Sequence, residues 1–411
     1  MAKVKPFRAI RPAKGLEDKI AALPYDVYSS SEAREVVKKE PMSFLRIDRA
    51  ETQFPEDVDM YSDAVYQKAH DLLWGMIERG EFIREQKACY YIYELVYQER
   101  VQDGIAACVA VKDYTDGVIR RHENTRRDKE EDRIRHIDAC QAQTGPIFLA
   151  YRSQQELQQI VEREKEREPV YDFETEDGVI HRVWIITSEK VIARITELFG
   201  QMDHLYIADG HHRAASAVRV GLQKAEAAKN PTGEEEFNYF LAVMFPKEQL
   251  RILDYNRVVK DLHGLSVEQF LEKLQEKFTV EARTEAVSPE KKGTFGLYVD
   301  GTWYALTYKG DMDALETVDR LDVSILQKEV LDALLGIQDP KTDQRIKFVG
   351  GIRGLQELEK NVDQDGWAAA VSMYPTSMDE LLDIADAGLL MPPKSTWFEP
   401  KLRSGLFIHE I

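Results

Sequence analysis

The sequence predicts a mixed α/β protein in which strands and helices are interleaved, with some strands in hairpins and others separated by helices. Two observations favour this class over an all-parallel doubly wound sheet. Asp103-Gly104 and Asp300-Gly301 are hairpin signals that lie between runs of strand-forming residues. Apolar residues recur at helical spacing in other stretches, as in Val58 to Gly80. The 411 residues are enough for two or three domains.

The composition is that of a globular chain with an acidic surface, since 43% of the residues are hydrophobic and 31% are charged. Acidic side chains outnumber basic ones by 73 to 55, which gives a formal net charge of -18. This charge repels polyanions, so we expect no binding to duplex nucleic acid and none to a membrane. The composition leaves the oligomeric state open.

Three further features predict a cytoplasmic protein. The cysteines Cys89, Cys108 and Cys140 have no spacing typical of a metal site. The first residues carry charges where a signal peptide needs an apolar stretch. No apolar run approaches the roughly 20 residues that are needed to cross a bilayer.

The predicted elements divide into a core region, residues 1–260, and a C-terminal region, residues 261–411. In the core region the patterns predict, in order, a helix at 58–80, a hairpin of strands at 88–96 and 105–111, a helix at 124–143, strands at 181–187 and 205–208, a helix at 214–229 and a strand at 239–245. A new amphipathic helix at 267–278 sets the boundary. The C-terminal region adds a hairpin of strands at 294–299 and 302–308 and a helix at 323–335.

The sharpest chemical signal is the segment Asp209-Gly210-His211-His212-Arg213, where an apolar strand ends and a helix begins after a glycine. The first N–H groups of such a helix have no intrahelical partner and lie at its positive end, so they bind anions readily. The adjacent basic side chains add donors, and Asp209 is available to ligate a metal or to orient a histidine. The plainer alternative is that Asp209 caps the helix and the basic residues lie in solvent.

A second segment begins with His122-Glu123 and continues into a charged helix. Thr125 is the predicted N-cap, and Lys129 and Arg133 follow at intervals of four residues, so all three share one helix face. That face presents two cations to a phosphate, or it is an ordinary solvated surface.

Two more segments complete the candidate site. Three prolines between Met391 and Lys401 exclude a helix and predict a rigid loop, which carries Lys394, Ser395 and Thr396. Such a loop suits the positioning of a phosphorylated ligand, although a strap anchored by its aromatic residues has the same pattern. Near the N-terminus, Asp26 supplies one carboxylate in an extended segment or turn. The common nucleotide-binding motifs, GxGxxG and the P-loop, are absent.

Together these segments resemble the bacterial and archaeal family catalogued as domain of unknown function 1015, once labelled ParB-like. The matching residues are Pro24-Tyr25-Asp26-Val27, His122-Glu123 with Thr125, Lys129, Asp132 and Arg133, Asp209 to Arg213, Asn256-Arg257-Val258-Val259, and Met391 to Thr396 with Pro400-Lys401. They extend over nearly the whole chain.

The Asp-Gly-His-His-Arg stretch is also similar to a motif of free-serine kinases in the ParB and sulfiredoxin-like superfamily. This resemblance implies a ParB/sulfiredoxin-like core with a mixed sheet and an additional α+β C-terminal region. It also implies that the loop and the following helix bind nucleotide phosphates, while a separate carboxylate acts as base on the serine hydroxyl. Asp26 and Glu123 are the candidates for that carboxylate in this sequence.

The sequence therefore predicts phosphoryl transfer to a small hydroxylated metabolite, with free serine as the leading substrate, ATP or ADP as donor and Mg²⁺ as cofactor. The predicted catalytic residues are Asp26, Glu123, His122 and His212, and the predicted phosphate- or nucleotide-binding residues are Asp209, Gly210, His211, His212, Arg213, Lys129, Arg133, Lys394, Ser395 and Thr396. Asp209 is the predicted metal ligand. Two alternatives stay open: a phosphatase acting on a phosphomonoester such as phosphoserine, with a histidine as nucleophile or acid, and a regulator that binds a nucleotide or metabolite without catalysis.

Overall fold

Two large β-sheets organise the computed structural model, which describes residues 1–411, and each sheet belongs to one of two units of the chain. Unit 1 comprises Met1–Arg121, Thr125–Leu250 and Pro400–Ile411. Unit 2 comprises His122–Asn124 and Arg251–Glu399.

The strands are short to medium in length and occur throughout the chain. They are β1 (Val4–Lys5), β2 (Ile10–Pro12), β3 (Phe82–Arg84), β4 (Tyr90–Tyr97), β5 (Arg100–Ala110), β6 (Ile119–Arg120), β7 (Ala142–Gln143), β8 (Ile147–Tyr151), β9 (Tyr171–Glu174), β10 (Ile180–Ile186), β11 (Leu205–Asp209), β12 (Tyr239–Pro246), β13 (Ile252–Leu253), β14 (Tyr255–Val259), β15 (Phe278–Arg283), β16 (Thr294–Val299), β17 (Thr302–Tyr308), β18 (Ile346–Gly350), β19 (Ala369–Met373), β20 (Trp397–Phe398) and β21 (His409–Glu410).

The helices alternate with these strands. They are α1 (Glu17–Ile20), α2 (Ser30–Lys39), α3 (Leu45–Asp48), α4 (Asp63–Glu78), α5 (Val111–Thr115), α6 (Arg127–Cys140), α7 (Gln155–Lys165), α8 (Glu189–Gly200), α9 (His211–Ala227), α10 (Val267–Leu274), α11 (Asp322–Leu326), α12 (Leu355–Asp363) and α13 (Met378–Asp386). A π-helical segment, Gln327–Asp332, continues α11. No helix has both the length and the apolar character that crossing a membrane requires.

The sheets confirm the predicted mixed α/β class. The nine-stranded sheet of unit 1 has the order β6-β11-β8-β12-β5-β4-β10-β9, with β1 paired to β5. In this sheet β6 pairs with β11 and β8 with β12 in parallel, and the other neighbours are antiparallel. The six-stranded sheet of unit 2, β15-β17-β16-β19-β14-β18, is antiparallel throughout.

Apolar side chains of α6, α7, α8 and α9 pack on the nine-stranded sheet and form the larger core of unit 1. A second apolar cluster joins α3 and α4 to the region around β2, β3 and β7. Unit 2 has its own cluster, in which α12 packs on the six-stranded sheet. The large core therefore supports β11 and α9, the two elements that flank Gly210.

One predicted hairpin is confirmed and the other has its turn in a different place. Asp300 and Gly301 both have positive φ, 47° and 71°, and connect β16 to β17. The first hairpin instead turns at Gln98 and Glu99, whose φ values are 48° and 65°. Gly104 lies within β5, where an added Cβ would come within 2.4 Å of the Val243 side chain. This glycine permits close packing inside the sheet and does not form a turn.

The helix that contains Lys129 and Arg133 begins later than predicted. Its N-cap position is Arg126, and the hydroxyl of Thr125 bonds to the Glu130 carboxylate and caps no backbone N–H. The Thr125 N-cap prediction is therefore wrong, because the helix begins at Arg127 and Thr125 lies one residue before the N-cap position.

The structure divides the chain after Leu250, whereas the sequence placed the division near residue 260. The reason is pairing between distant segments, since β14 is a strand of the unit 2 sheet. At the other end, β21 pairs with β7 in unit 1. Arg403, which is buried, donates to the Asp177 carboxylate at 2.6 Å and fastens the final segment to the β9–β10 hairpin.

Asp322, at the start of α11, is a buried carboxyl group that ionises near neutral pH. Its Oδ1 accepts the Gly293 N–H at 2.9 Å, and its Oδ2 makes no hydrogen bond. Burial raises the Asp322 pKa from 3.8 to about 7, with Glu380 adding to the rise and Lys292 opposing it. Because the folded pKa lies above the unfolded one, folding takes up a proton, and this contribution to stability is lost as pH rises from about 4 to about 7.

We predict that Asp322→Asn stabilises the protein at pH 8 and does so less at pH 5, because asparagine keeps the acceptor for Gly293 and carries no charge. Thermal denaturation at both pH values measures this difference. Asp365→Asn, at an exposed carboxylate of the same unit, is the control and should show no such dependence on pH. Equal melting temperatures of the wild type and Asp322→Asn at pH 8 would contradict the prediction.

Candidate functional site

The junction of β11 and α9 has the strand–turn–helix form that the sequence predicts. β11 ends at Asp209, Gly210 occupies the N-cap position with φ 91° and ψ 33°, and α9 begins at His211. No side chain caps the helix, and its first turn holds no acidic residue. The first turn of this 17-residue helix therefore supplies no anionic group of its own, and this favours the binding of an external anion.

The Arg213 side chain links the end of β11 to the backbone just before β8. Its Nη1 donates to the Pro146 carbonyl at 2.6 Å, and its Nη2 lies 3.2 Å from the Asp209 carboxylate. A Cβ added at Gly210 would lie 3.1–3.2 Å from the guanidinium, so the glycine is needed for close approach as well as for its positive φ. Arg213 thus has a structural role beside any contact with a ligand.

Asp209 lies between two cations. Besides Arg213, the Lys401 Nζ is 3.6 Å from its carboxylate. Because both cations balance the charge of Asp209, the donor set here does not fit a Mg²⁺ ligand well, and the arrangement favours a role in positioning Arg213. The metal-binding role stays a sequence prediction.

The two histidines of the motif have different environments. His211 is buried at the first helical position. His212 Nε2 accepts the backbone N–H of Arg126 at 2.9 Å, so the proton of a neutral ring is on Nδ1. This bond ties the segment before α6 to the start of α9, and so brings two of the predicted segments together within unit 1.

Arg133 lies deeper in unit 1 than a solvated helix face would place it. Its Nε and Nη2 contact the Asp132 carboxylate at 3.0 and 2.9 Å, and its guanidinium lies 4.1 Å from the centre of the Tyr25 ring. Lys129, one turn earlier in α6, is half-buried. Asp26, next to Tyr25, is exposed.

Arg133 and Arg213 line a common cavity of about 30 Å³ within unit 1, enough for one or two water molecules. Asp48, His136, Thr144 and Ser404 also line it. These four residues were not predicted from the sequence.

Two of these residues have clear bonding partners. Thr144 donates to Asp48 at 2.9 Å, and His136 hydrogen-bonds the Ile47 carbonyl at 3.1 Å. Burial lowers the His136 pKa, as does the charge of Arg133, so its ring stays neutral at pH 7. One available sequence signal was the helical spacing of His136 with Arg133 on one face of α6.

Unit 2 brings together two other predicted segments. His122 is buried, its carbonyl accepts the Met391 N–H at 2.8 Å, and its Nε2 lies 3.4 Å from the Thr396 hydroxyl. Ser395 is buried and donates to the Pro392 carbonyl at 2.7 Å.

The remaining predicted residues of unit 2 are Glu123 and Lys394. Glu123 is half-buried beside His122 in the chain. Lys394 has a positive φ of 58°, an uncommon conformation for a residue with a side chain, and its Nζ lies 5.7 Å from the Tyr255 ring centre. The part of the proline-rich segment before Pro400 therefore forms a loop of unit 2 with defined hydrogen bonds.

The family model described as "Protein of unknown function (DUF1015)" matches residues 4–324, and the chain belongs to this family. No curated protein matches the sequence.

Several solved structures show a distant similarity. A conserved hypothetical protein from Pyrococcus furiosus is 15% identical, with a TM-score of 0.36 and coverage of 74% of this chain and 94% of that chain. A free serine kinase variant in complex with AMP is 14% identical, with a TM-score of 0.37 and coverage of 78% and 93%. Truncated SbnI from Staphylococcus aureus is 14% identical, with a TM-score of 0.38 and coverage of 74% and 86%.

We predict that Gly210→Ala destabilises the protein more than Gly178→Ala does. Both glycines have positive φ, 91° and 75°, so each alanine brings a backbone cost of about 1 kcal/mol. Only at Gly210 does the new Cβ crowd the Arg213 guanidinium, whose Nη1 and Nη2 both have hydrogen-bond partners. This crowding adds roughly another 1 kcal/mol to the loss of stability. Chemical denaturation of both variants measures the difference, and equal losses would show that Arg213 moves aside freely.

Proposed function

We propose that the protein is a phosphoryl-transfer enzyme acting on a small hydroxylated metabolite, and that nucleotide-dependent phosphorylation of free serine is its leading reaction. The observation that carries the proposal is the start of α9, where the first helical N–H groups have no side-chain cap and the first turn contains no acidic residue. A phosphate placed there receives backbone hydrogen bonds and the positive end of the helix dipole.

Within unit 1, each side chain near this helix start has a defined part in the proposal. Arg213 keeps the turn closed through Pro146 and offers its remaining N–H groups to the phosphate. His212 Nε2 accepts the Arg126 N–H, so the neutral ring has its Nδ1–H on the other side and donates this hydrogen to the phosphate. Lys129 adds a cation in the first turn of α6. These groups stabilise negative charge on the transferring phosphoryl without accepting protons.

The hydroxyl nucleophile needs a base, and Asp26 is the candidate in unit 1. Its side chain is exposed beside Tyr25, whose ring lies on Arg133. A carboxylate in that place is able to receive the substrate proton as the phosphoryl group arrives. Glu123, in unit 2, is the second candidate.

ATP or ADP would supply the phosphoryl group, held by the α9 start. Mg²⁺ would balance phosphate charge, and the bound phosphates themselves can supply its ligands, which is usual for this ion. Asp209 is then free to keep its contacts with Arg213 and Lys401.

The His212–Arg126 bond weakens the phosphatase alternative, because a histidine nucleophile or acid that uses Nε2 would first have to break it. Binding without catalysis, as in a regulator, is favoured by the internal bonds of Arg213, which leave fewer donors for a transition state.

We predict that the pure protein forms phosphoserine when it is incubated with serine, Mg²⁺ and either ATP or ADP. Phosphorus NMR follows both reactant and product. Consumption of added phosphoserine would favour the phosphatase instead, and nucleotide binding by calorimetry without turnover would favour the regulator.

Asp26→Asn should lower kcat by 10²- to 10⁴-fold, because a positioned base typically contributes that much, while nucleotide affinity stays unchanged. Asp18→Asn, at another exposed carboxylate of unit 1, is the matched control and should keep full activity. An unaltered kcat in Asp26→Asn would exclude Asp26 as the base and leave Glu123 to be tested in the same way.

A further inference from the structure

Arg257 in β14 is a buried arginine of unit 2 that has no part in the proposed reaction. It is 3% exposed and lies in the six-stranded sheet. Its Nη1 donates to the Tyr255 carbonyl, and its Nη2 donates to the Lys394 carbonyl at 3.0 Å. The guanidinium lies 5.3 Å from the centre of the Phe348 ring. All its hydrogen-bond partners are neutral backbone oxygens.

The other buried arginines of the chain each have a carboxylate partner. Arg49 pairs with Glu51 at 2.6 Å, Arg133 with Asp132 at 2.9 Å, and Arg403 with Asp177 at 2.5 Å. Arg257 forms no ion pair. The nearby Asp254 carboxylate accepts from the Asn256 side chain at 2.6 Å instead.

A buried guanidinium without a counter-ion is energetically costly, since carbonyl dipoles replace only part of the lost hydration. Burial accordingly lowers the Arg257 pKa to about 10, against a small opposing effect of Tyr255. A purely structural donor to two carbonyls does not require a charge, because a neutral amide donates as well. The absence of a negatively charged partner for Arg257 therefore points to an anion that comes from outside the chain.

The surroundings of Arg257 suit such an anion. Nε makes no hydrogen bond in the protein, and Nη1 and Nη2 each have a second N–H beyond the one given to a carbonyl. Lys394, whose carbonyl accepts a hydrogen bond from Arg257, brings a second cation. The positive φ of Lys394 shows that the loop accepts backbone strain at this residue. The hydroxyl of Thr396 follows in the same loop.

We propose that Arg257, together with Lys394, forms an oxyanion-binding subsite in unit 2 for a phosphate or carboxylate group of a small ligand. Planar N–H donors of a guanidinium match the oxygens of either group. The subsite is proposed within unit 2, and it does not depend on phosphoryl transfer.

The test is calorimetric titration of the full-length protein with inorganic phosphate and, separately, with acetate, at an ionic strength held constant with sodium chloride. We expect binding of at least one anion, and the stronger response identifies phosphate or carboxylate as the preferred group. Arg257→Gln keeps donors for the carbonyls and removes the charge, so the affinity should fall at least tenfold. The melting temperature without added anion should stay the same or rise, because an unbalanced charge is removed.

Arg345→Gln is the matched control. Arg345 also donates to two carbonyls in unit 2, those of Leu335 and Gly336, but Asp343 at 2.9 Å balances its charge. This variant should bind the anion as the wild type does. Arg257→Lys, which keeps the charge, is the second variant in case Arg257→Gln does not fold, and it should retain weakened binding.

Wild-type protein that binds neither anion would overturn the proposal, as would unchanged affinity in Arg257→Gln. Absence of phosphoserine formation would count against the proposed reaction alone, since anion binding by Arg257 is measured without nucleotide or serine. Loss of anion binding in Gly210→Ala but not in Arg257→Gln would show that the anion binds at the start of α9, and this result would also overturn the proposal.

Discussion

The bonds of the Arg213 side chain are the interaction on which the rest of the candidate site depends. One guanidinium contacts the Pro146 carbonyl before β8 and the Asp209 carboxylate at the end of β11, and so ties two adjacent strands to the first turn of α9. Only glycine at position 210 lets that guanidinium come so close. The uncapped N-terminus of α9 therefore has a fixed direction, and the anion site that we propose there would be preorganised.

Charged side chains have different surroundings at the surface and in the interior of this acidic protein. A net charge of -18 describes the surface, where solvent screens each carboxylate. Inside, arginines are matched individually: Arg49, Arg133 and Arg403 each have a carboxylate, and Arg257 has carbonyl oxygens alone. With the anion sites proposed above, an acidic exterior and cationic positions inside would favour compact anions over long polyanions.

Several site residues were predictable because their signals are local. The glycine after an apolar strand, followed by His-His-Arg, indicated a turn and a helix start, and α9 begins at His211. Residues such as Asp48 and Ser404 were not predictable, because they reach the cavity only through the packing of α3 and of the final segment. Gly104 misled for a similar reason: its neighbours Val243 and Phe245 are far away in the sequence, and they need the space that a side chain would fill.

The sequence by itself determined the α/β class, the family and the elements whose signals lie within a few residues, such as the turn at Asp300-Gly301 and the helix start after Gly210. The tertiary structure alone decided which charges are balanced. Lys401 reaches Asp209 and Arg403 reaches Asp177 because β21 pairs with β7 and holds the end of the chain in unit 1. Local patterns do not encode such contacts, since each depends on the positions of strands that are distant in the sequence.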